Sequence, residues 1–220
     1  MKLLKMNRKF VLFISLGAFF GGWASGMAAP LPKELSELET AYSKHKTIEA
    51  KFTQTTETKL TGTEKKTSGV LTLQAPGRFR WETLVPDKNL LVSNGKKFWF
   101  YTPPFSQGDK GQVIVRKTAE IQSELATTLL SGSFSKLKKV SIEKKSKFDF
   151  ILKPEKGTAG SVTQIQLHLS FSGDKIERVI LQHDNGNTAD VSLSEIQFET
   201  PVPEGFFDFV TPPMTDVIVN

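Results

Sequence analysis

Residues Val70–Tyr101 read VLTLQAPGRFRWETLVPDKNLLVSNGKKFWFY. Apolar, aromatic-rich runs are punctuated here by Pro76-Gly77, Pro86-Asp87 and Asn94-Gly95, pairs that make turns rather than helices. The pattern predicts strands over Ser68–Gln74, Arg78–Leu84, Asn89–Ser93 and Lys97–Tyr101. The second alternates, with Phe79 and Trp81 on one face and Arg78, Arg80 and Glu82 on the other. The last does not. Phe98, Trp99, Phe100 and Tyr101 put aromatic rings on both faces of a strand whose side chains must alternate. Such a strand lies between two apolar compartments, or between a core and a cavity.

Working outward, Pro32–Thr47 carries Leu31, Leu35, Leu38 and Tyr42 at helical spacing and predicts a first helix. Ile48–Thr58 reads as a strand centred on Phe52, and Gly62–Lys66 as the tip of a hairpin. Beyond the aromatic strand, Pro103-Pro104 ends the run and Gln112–Arg116 is a short strand. Thr118–Leu130 predicts a second helix, with Ile121, Leu125, Thr128 and Leu129 on one side and Gly132 as its stop. Leu137–Lys144, Phe148–Leu152, Val162–Phe171, Lys175–His183 and Asp190–Phe198 read as strands joined by Gly-containing hairpin turns, hence antiparallel neighbours. The total is about ten or eleven strands. A sheet that large curls, and two helices are too few to fill its concave side. The expected architecture is mainly β, an under-filled half-barrel, with a two-sheet sandwich as the competitor.

The ends and the composition limit the function. Lys2, Lys5, Arg8 and Lys9 precede the apolar run Phe10–Phe20 and the small residues ending Gly26-Met27-Ala28, which predicts a signal peptide over residues 1–28 and a single domain over 29–220. Taking those four cations from the net charge of +6 leaves +2, too little to argue for nucleic acid. The chain has no cysteine, so disulfides, thiolate chemistry and a lipidated N-terminal cysteine are excluded. Export without an anchor or disulfides suits the periplasm.

No catalytic constellation is legible. His45, His168 and His183 lack metal-ligand spacing, and no nucleophile elbow, Walker loop or dinucleotide glycine pattern occurs. The expectation is a non-enzyme with no metal and no cofactor. Paired lysines, such as Lys65-Lys66 and Lys144-Lys145, read as a solvated face, or alternatively as a rim for anionic headgroups or an acidic partner.

The order Phe52-Thr53-Gln54, Gly69, Ala75-Pro76-Gly77-Arg78-Phe79-Arg80-Trp81, Ser93-Asn94-Gly95-Lys96, Trp99-Phe100-Tyr101 and Gln107, closing on Phe207-Asp208-Phe209-Val210-Thr211-Pro212-Pro213, resembles the LolA family of periplasmic lipoprotein carriers. The resemblance spans Leu31 to Asn220. It implies an unclosed antiparallel β-barrel under a helical lid, with an apolar hollow for the acyl chains of lipoproteins. It also implies loading from an inner-membrane ABC transporter and delivery to an outer-membrane receptor; a shuttle with a sealed hollow is most simply a monomer. A lipid-binding sensor or a glycolipid shuttle on the same half-barrel is the alternative. Candidate cavity residues are Phe52, Leu71, Leu73, Phe79, Trp81, Phe98, Phe100, Leu125 and Leu129; which strand face turns inward stays open at this level. Family members often carry Arg before the Pro that opens the central strand, where it holds the lid. This chain has Ala75, which leaves Arg78 and Arg80 as candidates for lid contact.

Overall fold

The computed structural model describes residues 30–117 and 128–219. One compact unit spans Leu31–Asn220. It opens with α1 (Lys33–Tyr42), shorter than the sequence suggests. Thr47 is already paired with Gln74 in the sheet, and the intervening His45 and Lys46 are tied to the Glu199 carboxylate. Six strands follow: β1 (Thr47–Thr58), β2 (Thr63–Gln74), β3 (Arg78–Val85), β4 (Asn89–Asn94), β5 (Lys97–Thr102) and β6 (Gly111–Lys117). After a 3-10 turn at Phe134–Lys136 come β7 (Val140–Lys144), β8 (Asp149–Pro154), β9 (Val162–Leu169), β10 (Ile176–His183), β11 (Thr188–Phe198) and β12 (Thr215–Val219).

These twelve strands make one open sheet in the order β12-β6-β5-β4-β3-β2-β1-β11-β10-β9-β8-β7. The long β1 joins two antiparallel meanders, pairing with β2 on one side and β11 on the other. Three details correct the sequence reading. Thr63–Lys66 belong to the ladder, opposite Thr58–Thr55, and the turn is confined to the four residues before them. β7 begins at Val140, because the 3-10 turn and a left-handed Lys139 (φ 57°) occupy the residues ahead of it. The twelfth strand is new: β12 returns from the C-terminus and pairs in parallel with β6.

The sheet's curvature follows from its core. Phe98 on β5 and Phe150 on β8 share one buried cluster, although the strand order separates them by eight steps. A flat sheet at ~4.8 Å per strand would hold them about 40 Å apart, so it must curl. The inner face carries Ile48, Phe52, Leu71, Phe79, Leu167 and Val179, and α1 lays Leu35, Leu38 and Tyr42 onto it. The Tyr42 hydroxyl accepts a hydrogen bond from the Ile176 amide (3.1 Å), and burial raises its pKa to about 12. α1 is further clamped by Lys144–Glu34 (2.6 Å) and by Glu39, which accepts from the Ser135 amide and hydroxyl.

The doubly apolar β5 also finds its explanation here. Phe98 and Phe100 face the core, whereas Trp99 and Tyr101 face outward and meet Phe209, with centroids 6.4 and 5.2 Å apart. The C-terminal segment runs back across the outer face of β3–β6, with Phe206 under the Arg80 guanidinium and Asn94 donating to Asp208 (2.7 Å). Val92 and Val113, which point away from the core, are fully buried by this arrangement. The second compartment is thus a strap rather than a cavity.

Elsewhere the outer face is wet and charged. Arg178 pairs with Asp190 and His168 with Asp149 (2.5 Å) across β8–β11. Hydrogen bonds from Ser146 and His168 lower the Asp149 pKa, and the Arg178 guanidinium lowers that of Asp190. A carboxyl lowered on folding stabilises above its unfolded value near ~3.9, and that stabilisation is lost as pH falls through the folded value. Asp190→Asn should therefore flatten the stability–pH profile below about pH 4; urea melts between pH 2 and 7 that leave the parent's profile unchanged would contradict this.

Gly69 sets the floor of the bowl. A Cβ there would lie 1.9 Å from the Glu82 carbonyl oxygen and 2.9 Å from the Phe52 ring, because β2 slips register against β3 at this point and Phe52 lies opposite. Gly69→Ala should cost about 1–3 kcal/mol through overpacking, read as a lower urea midpoint; an unchanged midpoint would show that the strands part freely.

Candidate functional site

The inner face is filled at one end and hollow at the other. Beneath α1, only a crevice of about 10 Å³, room for about one water, separates Tyr42, Ile48, Leu71 and Leu73 from Leu130 and Leu193. Toward the β1–β2 turn the same face opens into a hollow of about 580 Å³, a size that encloses an apolar ligand. Its walls are Trp81 and Leu91 on one arm, Val179, Leu181 and Val191 on the other, with Leu129 and Leu130 between them, and it reaches the exposed Glu64 and Lys65.

Local sequence explains the contrast. Along β1 the inward positions run Ile48, Ala50, Phe52 and then Gln54, Thr56, Thr58. On β2 the partners run Leu73, Leu71, Gly69 and then Thr67, Lys65, Thr63. Large apolar side chains on these two strands thus stop at Phe52, whose ring packs tilted against the hollow-lining Trp81, with centroids 4.1 Å apart. Leu129 and Leu130 are placed by a helix end. Residues 128–130 are helical, and Gly132 at φ 67° ends them, with the Ser133 amide donating to the Thr128 carbonyl (2.9 Å). A side chain at Gly132 would strike the Tyr42 ring at 2.8 Å.

Of the residues expected at a cavity, Trp81 and Leu129 line the hollow. Phe52, Leu71, Leu73, Phe79 and Phe98 belong to the packed cluster, with Phe100 against its edge. Leu125, and with it residues 118–127 of the helix expected from the sequence, lies outside the described residues. Arg78 and Arg80 sit on the outer face: Arg78 donates to Gln74 (3.1 Å), and Arg80 is held between Glu82 and the Phe206 ring. Sequence reasoning missed Leu91, Val179, Leu181 and Val191. Their signal was the pairing of β3 with β4 and of β10 with β11, which puts Leu91 beside Trp81 and Leu181 beside Ala189.

The polar inventory is structural. His45 stacks on Phe198 and meets Glu199, His168 meets Asp149, and His183 shares a hydrogen bond with Ser161 (2.8 Å). Among the described residues no three His, Asp or Glu side chains gather as a metal site would require. Lys65, Lys66, Lys144 and Lys145 each pair with a nearby carboxylate. No helix among the described residues is long and apolar enough to cross a membrane.

Comparison with known proteins agrees with this geometry. Residues 43–210 match the family model described as "Outer membrane lipoprotein carrier protein LolA". An outer-membrane lipoprotein carrier protein of Azotobacter vinelandii is 33% identical over 213 residues, covering 94% of this chain and 97% of its own. One of Pseudomonas paraeruginosa is 31% identical over 180 residues, covering 80% and 83%. Among solved structures, an uncharacterized conserved protein of Thermus thermophilus superposes with a TM-score of 0.52 at 12% identity, over 84% of this chain and 98% of that one, a likeness of fold.

The hollow separates two kinds of leucine. Leu167→Ala, in the filled and fully buried part, should cost about 2–5 kcal/mol. Leu181→Ala, on the cavity wall, should cost less than half of that, because it leaves few atoms without partners. Equal shifts in urea midpoint for the two variants would mean the hollow is ordinary core.

Proposed function

This chain belongs to the outer membrane lipoprotein carrier (LolA) family, and from that premise we propose that it shields the acyl chains of lipoproteins in the hollow beside Trp81 and Leu181 while they cross the periplasm. It takes them from an inner-membrane ABC transporter and gives them to an outer-membrane receptor. Residues 1–28 direct its export, and the chain acts as a monomer. The observation that carries the reading is the apolar hollow of about 580 Å³ left beside a core whose crevice is only about 10 Å³.

The energetics favour partial shelter. Each buried CH₂ is worth about 0.8 kcal/mol, so a multiply acylated anchor buried entirely would not leave on a useful timescale. Pockets of about 300–1,000 Å³ enclose drug-sized ligands, and a triacyl anchor is bulkier than these. A hollow of about 580 Å³ thus takes part of the anchor as it stands. The rest stays weakly held, which keeps transfer to a second apolar site downhill. No step calls for bond making, so the residues needed are apolar walls rather than an acid, base or nucleophile.

The test is release of a lipoprotein from spheroplasts into the soluble fraction by the added carrier. The parent should release it. Leu181→Glu, which puts a charge on the wall outside the filled core, should fold with a near-parental melt and reduce release at least ten-fold. Release equal to the parent's by a folded Leu181→Glu would contradict the assignment of this hollow.

A further inference from the structure

The hollow is amphipathic, and its two sides meet along one strand pair. On the β1–β11 ladder, Gln54 lies opposite Val191 and Thr56 opposite Ala189. Beyond β11 the wall continues apolar, Val179 beside Val191 and Leu181 beside Ala189. Beyond β1 it continues polar across β2, Thr67 beside Gln54 and Lys65 beside Thr56, before Trp81 and Leu91 make the far arm apolar again. A seam between hydrocarbon and hydrogen-bonding groups therefore runs along the β1–β11 boundary inside the cavity.

A site for bare hydrocarbon gains nothing from such a seam, since hydroxyl and amide groups facing an apolar occupant lose water without a replacement. Gln54 Nε2 donates to Thr56 Oγ1 (3.0 Å), which leaves the Gln54 carbonyl and the Thr56 hydroxyl hydrogen directed elsewhere. Among the described residues no side-chain hydrogen bond engages the Thr67 hydroxyl, although it faces the same space. Two hydroxyl donors and an amide lie beside an apolar wall, with no carboxylate among the three. That combination suits a neutral acceptor joined directly to a fatty chain.

Resting on the carrier reading above, we propose that Gln54, Thr56 and Thr67 form a subsite for the ester or amide carbonyls that join acyl chains to their cargo, with the chains lying along Val179, Leu181 and Val191. The cargo then has a fixed direction: tails toward Phe52 and Leu129, linkage at the Thr–Gln seam, and peptide leaving past Glu64 and Lys65. The hollow selects acyl conjugates over plain hydrocarbon.

Thr56→Val and Thr67→Val keep side-chain shape and β preference while removing the donors, so melts near the parent's are expected. Affinities are measured for three probes: diphenylhexatriene, a tripalmitoyl-cysteinyl peptide whose third chain is amide-linked to the cysteine nitrogen, and a short-chain phosphatidylethanolamine that shares the esters without the peptide. Each substitution should weaken the lipopeptide about five-fold, as the loss of one neutral hydrogen bond does. It should leave diphenylhexatriene unchanged or tighter. A matching loss for the phospholipid assigns the contact to ester carbonyls, and a loss for the lipopeptide alone assigns it to the cysteine-side amide. Lipopeptide affinity that is unchanged or improved, or an equal loss for all three probes, would overturn the subsite. A parent that binds diphenylhexatriene but not the lipopeptide would also overturn it while leaving the apolar hollow intact; a parent that binds none of the probes would overturn the carrier reading itself.

Discussion

Everything in this molecule depends on a mismatch between a wide curved sheet and the short helix that packs inside it. Twelve strands at ~4.8 Å spacing give about 50 Å of sheet contour, whereas the ten residues of α1 extend only about 15 Å. Leu35, Leu38 and Tyr42 fill the bowl where α1 lies, leaving a crevice of only about 10 Å³ there. Farther along β1 and β2 the inward side chains become threonine, glutamine, glycine and lysine, and among the described residues no large apolar group takes their place. The hollow follows from that arithmetic as an intended remainder of the packing.

Rigidity of the filled end and availability of the empty end belong to one design. Phe52 packs tilted against Trp81, which lines the hollow, and is seated over Gly69, where a methyl group would collide with the Glu82 carbonyl. The outer face is braced independently by the C-terminal strap, whose Phe209 covers Trp99 and Tyr101 and whose last strand protects the β6 edge. An occupant entering the hollow therefore displaces little of the core.

Much of this was readable in the chain. The turn pairs Pro76-Gly77, Pro86-Asp87 and Asn94-Gly95 placed β3, β4 and β5 within a residue of their observed ends, and the alternation in Arg78–Leu84 put Phe79 and Trp81 on the core side. The rings of Phe98–Tyr101 required two apolar compartments, but not their nature. The strap was hidden because Phe206, Phe207 and Phe209 lie in a segment without strand periodicity, and β12 pairs with a strand about a hundred residues earlier. The hollow was misplaced for a related reason. Composition marks Phe52, Leu71 and Phe79 as apolar, but which apolar positions are filled depends on the groups packed over them, among the described residues α1, Leu129, Leu130 and Phe134. Leu91, Leu181 and Val191 became candidates once the β4, β10 and β11 registers brought them together.

The most direct test is methyl NMR of the carrier bound to a lipopeptide with ¹³C-labelled acyl chains, reading intermolecular NOEs to leucine and valine methyls. The account predicts contacts to Leu91, Leu129, Val179, Leu181 and Val191, with none to Leu35, Leu38 or Leu167. Contacts at Leu35, Leu38 and Leu167, or an acyl chain that reaches no methyl on this face, would contradict it.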